Sequence, residues 1–271
     1  MRLSNFHAHT TYADGANTAE EMVLAAIAKG LVEFGISEHG HTSISWDDYN
    51  MTPESMPLYF AEMRGLQAKY AGQIELFCGV EQDAYGDLPT DGADYIIGST
   101  HFIESRGEFL IVDNGAAGQL ESVNAHFGGD FIAFAEAYFA AEANIARITK
   151  CDIVGHFDLV NKNNERDRLF DTAHPRYRAA ALTAMEEILK TCRLFEINTG
   201  AMYRVGRSEQ YPQDWLLREL RARGGEVILS SDSHDCDSIG FRFAEMEELL
   251  RVCGFKSRKT LTRDGFIDIP L

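Results

Sequence analysis

Short apolar runs alternate along the chain with longer stretches of helical periodicity. The runs occupy 3–6 (LSNF), 32–37 (VEFGIS), 74–81 (IELFCGVE), 94–100 (DYIIGST), 152–157 (DIVGHF), 194–198 (LFEIN) and 226–231 (EVILSS). All have strand length, and most are rich in side chains that suit a pleated, buried surface. Between them the spacing predicts helices over 17–31, 53–72, 130–150, 176–192, 213–225 and 241–253, with a short β-like tail after the last. The first helix carries Thr18 with Glu21 three positions on, which is a capping-box signature, and Gly30 as its stop. The second starts from a proline.

Strands that alternate with helices are parallel, because the return path is a crossover helix. Seven such units predict an α/β barrel of the TIM type, one unit short of eightfold; an open doubly wound sheet is the alternative. The 271 residues suit one domain of this kind, spanning 1–271. No internal repeat, low-complexity tract or linker interrupts it. The connection from His101 to Lys150 is unusually long. Its first part, 102–129, has no regular helical pattern and is expected to form a lid or side wall, since long ordered loops tend to be functional.

Composition narrows the function classes. The formal net charge is −17, from 42 acidic against 25 basic residues. Such a surface repels polyanions, so nucleic acid is not an expected partner. A small anionic substrate would need a local cationic site, which metal ions can supply. No apolar stretch reaches membrane-spanning length, and the N-terminus shows no secretory leader. The five cysteines are scattered, odd in number and lack a C-x-x-C pair, as expected of reduced thiols in the cytoplasm. The oligomeric state is not legible.

Polar residues collect where the predicted strands end. His7 and His9 close the first, Glu38 and His39 the second, Glu81 the third, His101 the fourth and His156 the fifth. Glu196 and Asn198 lie in the sixth, and Asp232 and His234 follow the seventh. In an α/β barrel all these ends meet on one rim, where chemistry is done. Imidazole and carboxylate are the usual ligands of zinc, manganese and iron. In HAH and DSH the i, i+2 spacing points both side chains to one face of a strand. So many donors exceed the needs of one ion and predict two or three divalent metal ions (Zn, Mn or Fe). His126 and His174 sit in loop or helix-start contexts and read as structural. His41 is placed either near the site or on the surface, and Cys236 reads as a structural thiol.

The motifs H-x-H, ADG, SEHG, GVE, GSTHF, GHFDL and SSDSH, in this order, resemble the PHP (polymerase and histidinol phosphatase) superfamily over essentially the whole chain. The resemblance implies a distorted (β/α)7 barrel with three metal ions. By matched motif it implies His7, His9, Glu81 and Asp232 for one ion; a bridging Glu81, with His101 and His156, for a second; and Asp14, His39 and His234 for a third. Many histidinol phosphatases carry histidine where this chain has Asp14; either side chain binds metal. The stretches GSTHFIESRGEFLIVD, GGDFIAFAEAYF, DIVGHFDLV and EINTGAMYRVGRSEQYP resemble the monofunctional histidinol-phosphate phosphatases. The last implies a basic contact to the substrate phosphate from Arg204 or Arg207. After GHFDLV that group often has arginine and lysine, whereas this chain has Asn161 and Lys162, leaving Lys162 as a further phosphate contact.

The expected reaction is therefore metal-dependent hydrolysis of a small phosphomonoester, L-histidinol phosphate to L-histidinol and phosphate in histidine biosynthesis. A hydroxide bridging two ions is expected to attack phosphorus in line, with an arginine on the phosphate oxygens. A metal-bound water, His41 or Asp158 is the candidate proton donor to the leaving alkoxide. Glu196 and Asn198 are expected to orient ligands rather than bind metal. The alternatives are a related phosphoesterase acting on a nucleotide or another small ester, and a non-catalytic metal-binding regulator.

Overall fold

The computed structural model describes residues 2–44 and 49–271. The strands are β1 (Ser4–Asn5), β2 (Glu33–His39), β3 (Glu75–Asp83), β4 (Tyr95–Ser99), β5 (Phe102–Ser105), β6 (Glu108–Ile111), β7 (Ile153–Val154), β8 (Leu194–Asn198), β9 (Glu226–Ser230), β10 (Ser257–Thr262) and β11 (Gly265–Pro270). Among the described residues, neighbours in the main sheet run β1-β2-β3-β4-β7-β8-β9-β10-β11. Pairing is parallel from β1 to β10 and antiparallel between β10 and β11. All seven strands expected from the apolar runs are present within this curled sheet.

The sheet curls until its first and seventh strands meet. Ala8, just past β1, forms a parallel bridge with Ser233, just past β9. His9 N–H donates to Ser233 O at 2.8 Å, Ser233 N–H to His7 O at 3.2 Å, and Ser231 N–H to Asn5 Oδ1 at 2.8 Å. This contact distinguishes a distorted TIM-like barrel from the open doubly wound alternative. At the opposite end β10 fills the gap: Thr260 Oγ1 donates to Ser4 Oγ at 3.0 Å, and the buried Arg258 donates from Nε to Glu247 Oε1 at 2.9 Å.

The barrel interior is apolar beneath the rim, with Phe6, Phe77, Tyr95, Ile97, Ile153 and Ile228 packed together. Tyr95 fills its centre and donates to Phe6 O at 2.5 Å. Gly79 is required there, because a Cβ would lie 2.3 Å from Tyr95 Cζ. Outside, the helices Ala19–Ala28 and Ser55–Lys69 cover one flank, and Phe131–Glu142, Pro175–Ile188, Asp214–Ala222 and Phe243–Val252 another. The Thr18 and Glu21 capping box forms as expected. None of the described helices is long and apolar enough to cross a membrane.

Two expectations need correction. The helix over 130–150 is two helices, Phe131–Glu142 and Ile145–Thr149, parted at Asn144, whose Nδ2 donates to Ala140 O at 3.0 Å. A short amide that bonds the preceding turn competes with the backbone ladder and favours a boundary. The segment 102–129 is not irregular: β5 and β6 form a hairpin and Gly115–Phe127 a helix. The inward face of that helix is anchored by Gln119, whose Nε2 donates to Val112 O at 2.6 Å and Val160 O at 3.2 Å. A polar anchor of this kind leaves no mark in hydrophobic periodicity.

Candidate metal centre

Parallel strands deliver their C-terminal residues to one rim, and the bridge between Ala8 and Ser233 sets HAH directly beside DSH. Glu81 stands at the middle. Its Oε2 lies 3.3 Å from His7 Nε2, 3.6 Å from His9 Nε2 and 2.8 Å from His39 Nδ1, while its Oε1 lies 2.9 Å from His156 Nε2 and 3.6 Å from His101 Nε2. Asp232 Oδ1 is 3.4 Å from His9 Nε2, 3.5 Å from His234 Nδ1 and 3.8 Å from His7 Nε2. Asp14 Oδ2 faces His234 Nε2 at 3.0 Å, and Asp14 Oδ1 faces His39 Nε2 at 3.7 Å. The donors gather into three overlapping groups: His7, His9 and Asp232; His39, Glu81 and His101; and His9, Asp14, His39 and His234.

These atoms converge without satisfying one another. His7 Nε2, both ring nitrogens of His9 and Glu81 Oε2 are buried and have no hydrogen-bond partner among the described residues. His39 Nδ1 is close to Glu81 Oε2 but not aligned for a hydrogen bond. Buried polar atoms are ordinarily paired, so a cluster of unpaired lone pairs aimed at common points fits divalent cations. The donors are all nitrogen and oxygen, which suits zinc, manganese or iron.

The electrostatics agree. Burial raises the carboxyl of Glu81, yet the fields of His7, His39 and His101 outweigh it and hold the group well below the usual carboxylate range. Burial lowers His39, but Glu81 and Asp14 push it up to about 10. Burial, reinforced by His39 and His234, pushes His9 down to about 3. Opposite shifts on these stacked neighbours follow from a cluster in which few carboxylates face many imidazoles.

The supporting residues fix orientation. Glu196 Oε2 accepts a hydrogen bond from His7 Nδ1–H at 2.8 Å, which turns the Nε2 lone pair toward Glu81 and Asp232. Glu196 Oε1 accepts from His156 N–H at 2.6 Å and from Asn198 Nδ2 at 2.7 Å. Every partner of this carboxylate is a donor. Glu196→Gln therefore places an NH2 against a donor whichever way the amide is turned, and metal affinity is expected to fall about 10- to 100-fold. Competition with a chromophoric chelator measures it, and affinity within about twofold of wild type counts against this role. Asp232 has φ 45°, a left-handed backbone that is uncommon for a non-glycine residue. Gly200 makes room for it: a Cβ there would lie 2.9 Å from Asp232 Oδ2.

A cavity of about 370 Å³ opens over the donors. Arg204 and Lys162 line it. Arg204 Nη2 donates to Asp232 Oδ2 at 2.9 Å and its Nη1 to His234 Nδ1 at 2.6 Å. Lys162 Nζ donates to Asp113 Oδ2 at 2.6 Å. Arg207 is not on the cavity wall: it is buried, donates to Asn161 O at 2.8 Å and lies over the Tyr211 ring. The two proton-donor candidates also lie off the wall. His41 turns to Asp87 at 2.5 Å. Asp158 is buried, accepts from Gln213 N–H at 3.3 Å, and is pushed up to about 7 by burial against the opposing field of Arg207. Their positions turn all three away from the contacts expected of them. His174 caps the helix Pro175–Ile188, and His126 pairs with Glu108, both outside the cavity.

Two wall carboxylates, Asp83 and Asp113, escape the sequence reading. Asp83 accepts from His101 N–H at 2.8 Å. It stands two positions after Glu81, and the i, i+2 argument applied to HAH also finds it. Asp113 carries no comparable signal, because the β5–β6 hairpin that places it is not legible as structure.

A family model described as PHP domain matches residues 5–200. A Deinococcus radiodurans protein named "Probable histidinol-phosphatase" is 29% identical over 272 residues, covering 95% of this chain and 98% of its own. The Bacillus subtilis protein named "Histidinol-phosphatase" is 24% identical over 271 residues, covering 90% and 97%. The crystal structure of a Lactococcus lactis histidinol phosphate phosphatase, complexed with zinc, L-histidinol and phosphate, superposes with a TM-score of 0.72 at 22% identity, covering 98% of this chain and 99% of its own. That likeness extends to the whole fold.

Proposed function

The chain belongs to the PHP domain family, and from that premise we propose that it is a divalent-metal-dependent phosphomonoester hydrolase that converts L-histidinol phosphate to L-histidinol and phosphate in histidine biosynthesis. The observation that carries this reading is the set of buried, unpaired nitrogen and oxygen donors around Glu81 beneath a cavity that also presents Arg204 and Lys162. The names of the Deinococcus and Bacillus relatives, and the ligands of the Lactococcus structure, support the substrate.

In this reading two or three ions, zinc foremost, are held by His7, His9, Glu81 and Asp232; by Glu81, His101 and His156; and by Asp14, His39 and His234. Divalent cations there supply neutralisation of phosphate oxygens and acidification of water. Arg204, held on Asp232 and His234, and Lys162 both line the cavity and supply positive charge for phosphate oxygens there. Glu196 keeps His7 in the binding tautomer. Residues 1–271 act as one domain, because β10 and β11, beyond the matched span, complete the sheet. Five free cysteines, none joined in a disulfide, support a cytoplasmic location.

Phosphate release from a panel of esters tests the substrate. L-histidinol phosphate is expected to exceed nucleoside monophosphates in kcat/KM by about a hundredfold, the discrimination a shaped pocket can provide. Faster turnover of nucleotides overturns the assignment.

A further inference from the structure

We propose that Asp113 selects substrates whose leaving group carries an amine beside the ester oxygen, by exchanging its partner Lys162 for the substrate's ammonium. The proposal rests on the phosphatase reading above and adds a specificity determinant to it.

Asp113 follows β6 at the base of the side wall, where the β5–β6 hairpin returns to the rim. Val112 N–H donates to His101 O at 2.8 Å, which ties this wall to the donor rim. Among the described residues lining the cavity, the carboxylates outside the expected ligand set are Asp83 and Asp113. Asp83 is committed to the backbone, accepting from His101 N–H at 2.8 Å and Tyr85 N–H at 2.9 Å. Asp113 instead holds a side-chain cation, Lys162, at 2.6 Å, with side-chain exposures of 20% and 19%. This is a partly buried side-chain ion pair on the wall of the proposed phosphate site.

A phosphate ester of a 1,2-amino alcohol carries the complementary pair, an ammonium a few bonds from a phosphate. When it enters, Lys162 can turn to the phosphate while Asp113 receives the ammonium. Two ion pairs then replace one, and no charge is stranded. An ester without the amine offers Lys162 the same phosphate but leaves Asp113 with nothing in exchange. Breaking a partly buried pair so that one partner is uncompensated is costly. The wall therefore penalises the amine-free ester more than it rewards the amine, which is how a site built around a polar group rejects an analogue lacking it.

The test compares L-histidinol phosphate with the same ester lacking the amino group, in the metal-loaded wild type and in Asp113→Asn. The wild type is expected to prefer the amine-bearing ester by about tenfold or more in kcat/KM, the equivalent of one charge-assisted hydrogen bond. In Asp113→Asn that preference is expected to fall to within about threefold of unity, with the change carried in KM. Calorimetry gives a readout apart from turnover: in the presence of saturating phosphate, which gives Lys162 its new partner, L-histidinol is expected to bind the variant about tenfold more weakly than wild type. Equal losses on both esters overturn the proposal, since Asp113 then serves only to hold Lys162. If Asp113→Asn fails to fold, Asp113→Ser takes its place under the same criteria, and equal cleavage of the two esters by the wild type overturns the proposal while sparing the phosphatase reading. Cleavage of neither ester overturns that reading and the proposal with it.

Discussion

Glu81→Ala is expected to lower kcat/KM by about a thousandfold or more, roughly 4 kcal/mol of lost transition-state stabilisation. The same variant is expected to retain about half or less of the wild-type metal after dialysis. The reason is position. The two oxygens of this carboxylate lie within 4 Å of five imidazoles, from His7, His9, His39, His101 and His156, which arrive on four different strand ends. A group shared so widely is common to the ligand sets proposed for two ions, so its loss weakens both. Without it the rings face one another with Asp14 and Asp232 as the remaining nearby carboxylates of the proposed set. Glu81→Gln separates charge from volume: it keeps the side chain's size, replaces one carboxylate oxygen with an amide NH2 that cannot ligate a cation, and is expected to lose metal nearly as fully. Metal content by elemental analysis and phosphate release on the same preparation provide the check. A variant that keeps its full metal complement and more than about a tenth of its activity contradicts the central role given to Glu81.

The rim was readable from sequence because strand period and strand end coincide. HAH and DSH each put two donors on one face, and short apolar runs ahead of Glu81, His101 and His156 locate them on a common edge. Even the two-residue strands β1 and β7 were found, since their flanking residues carry the pattern. Beyond the rim, legibility failed for one physical reason. The direction of a side chain after a strand end depends on partners that are remote in sequence. Arg204 reaches the cavity because Asp232 and His234 hold it. Arg207, three residues on, is drawn back by Asn161 O and the Tyr211 ring. Spacing cannot distinguish the two. His41 and Asp158 follow the same rule, one taken by Asp87 and the other by Gln213. The side wall was lost differently. Gln119, with its two carbonyl partners, anchors a helix on polar bonds, so a periodicity argument finds nothing there and Asp113 stays hidden with it.

Stripping the metal is expected to abolish turnover and to reveal how far the site contributes to stability. After dialysis against a strong chelator, activity is expected to fall to about 1% or less, and added zinc is expected to restore most of it. An ion that binds the native chain but not the unfolded one stabilises it by about 4 kcal/mol when present at a thousand times its Kd. For a chain of this size each kcal/mol moves Tm by about 2–4 °C, so the stripped protein is expected to melt about 8–16 °C lower. The fall should not be complete unfolding, because the barrel core and both helical flanks are apolar clusters separate from the donors. The local cost is different in kind. His7 Nε2, His9 Nε2 and Glu81 Oε2 stay buried without hydrogen-bond partners when no cation is bound, and unpaired buried polar atoms destabilise the fold around them. Amide exchange is therefore expected to quicken first at residues 7–9 and 231–234, the bridge where the barrel closes. The paired readouts also separate catalysis from mere binding. A regulator built on the same donors shows the drop in Tm but releases no phosphate when its metal returns, whereas a phosphatase regains both together. Activity that persists with less than about a tenth of an ion per chain is incompatible with a reaction that depends on this cluster.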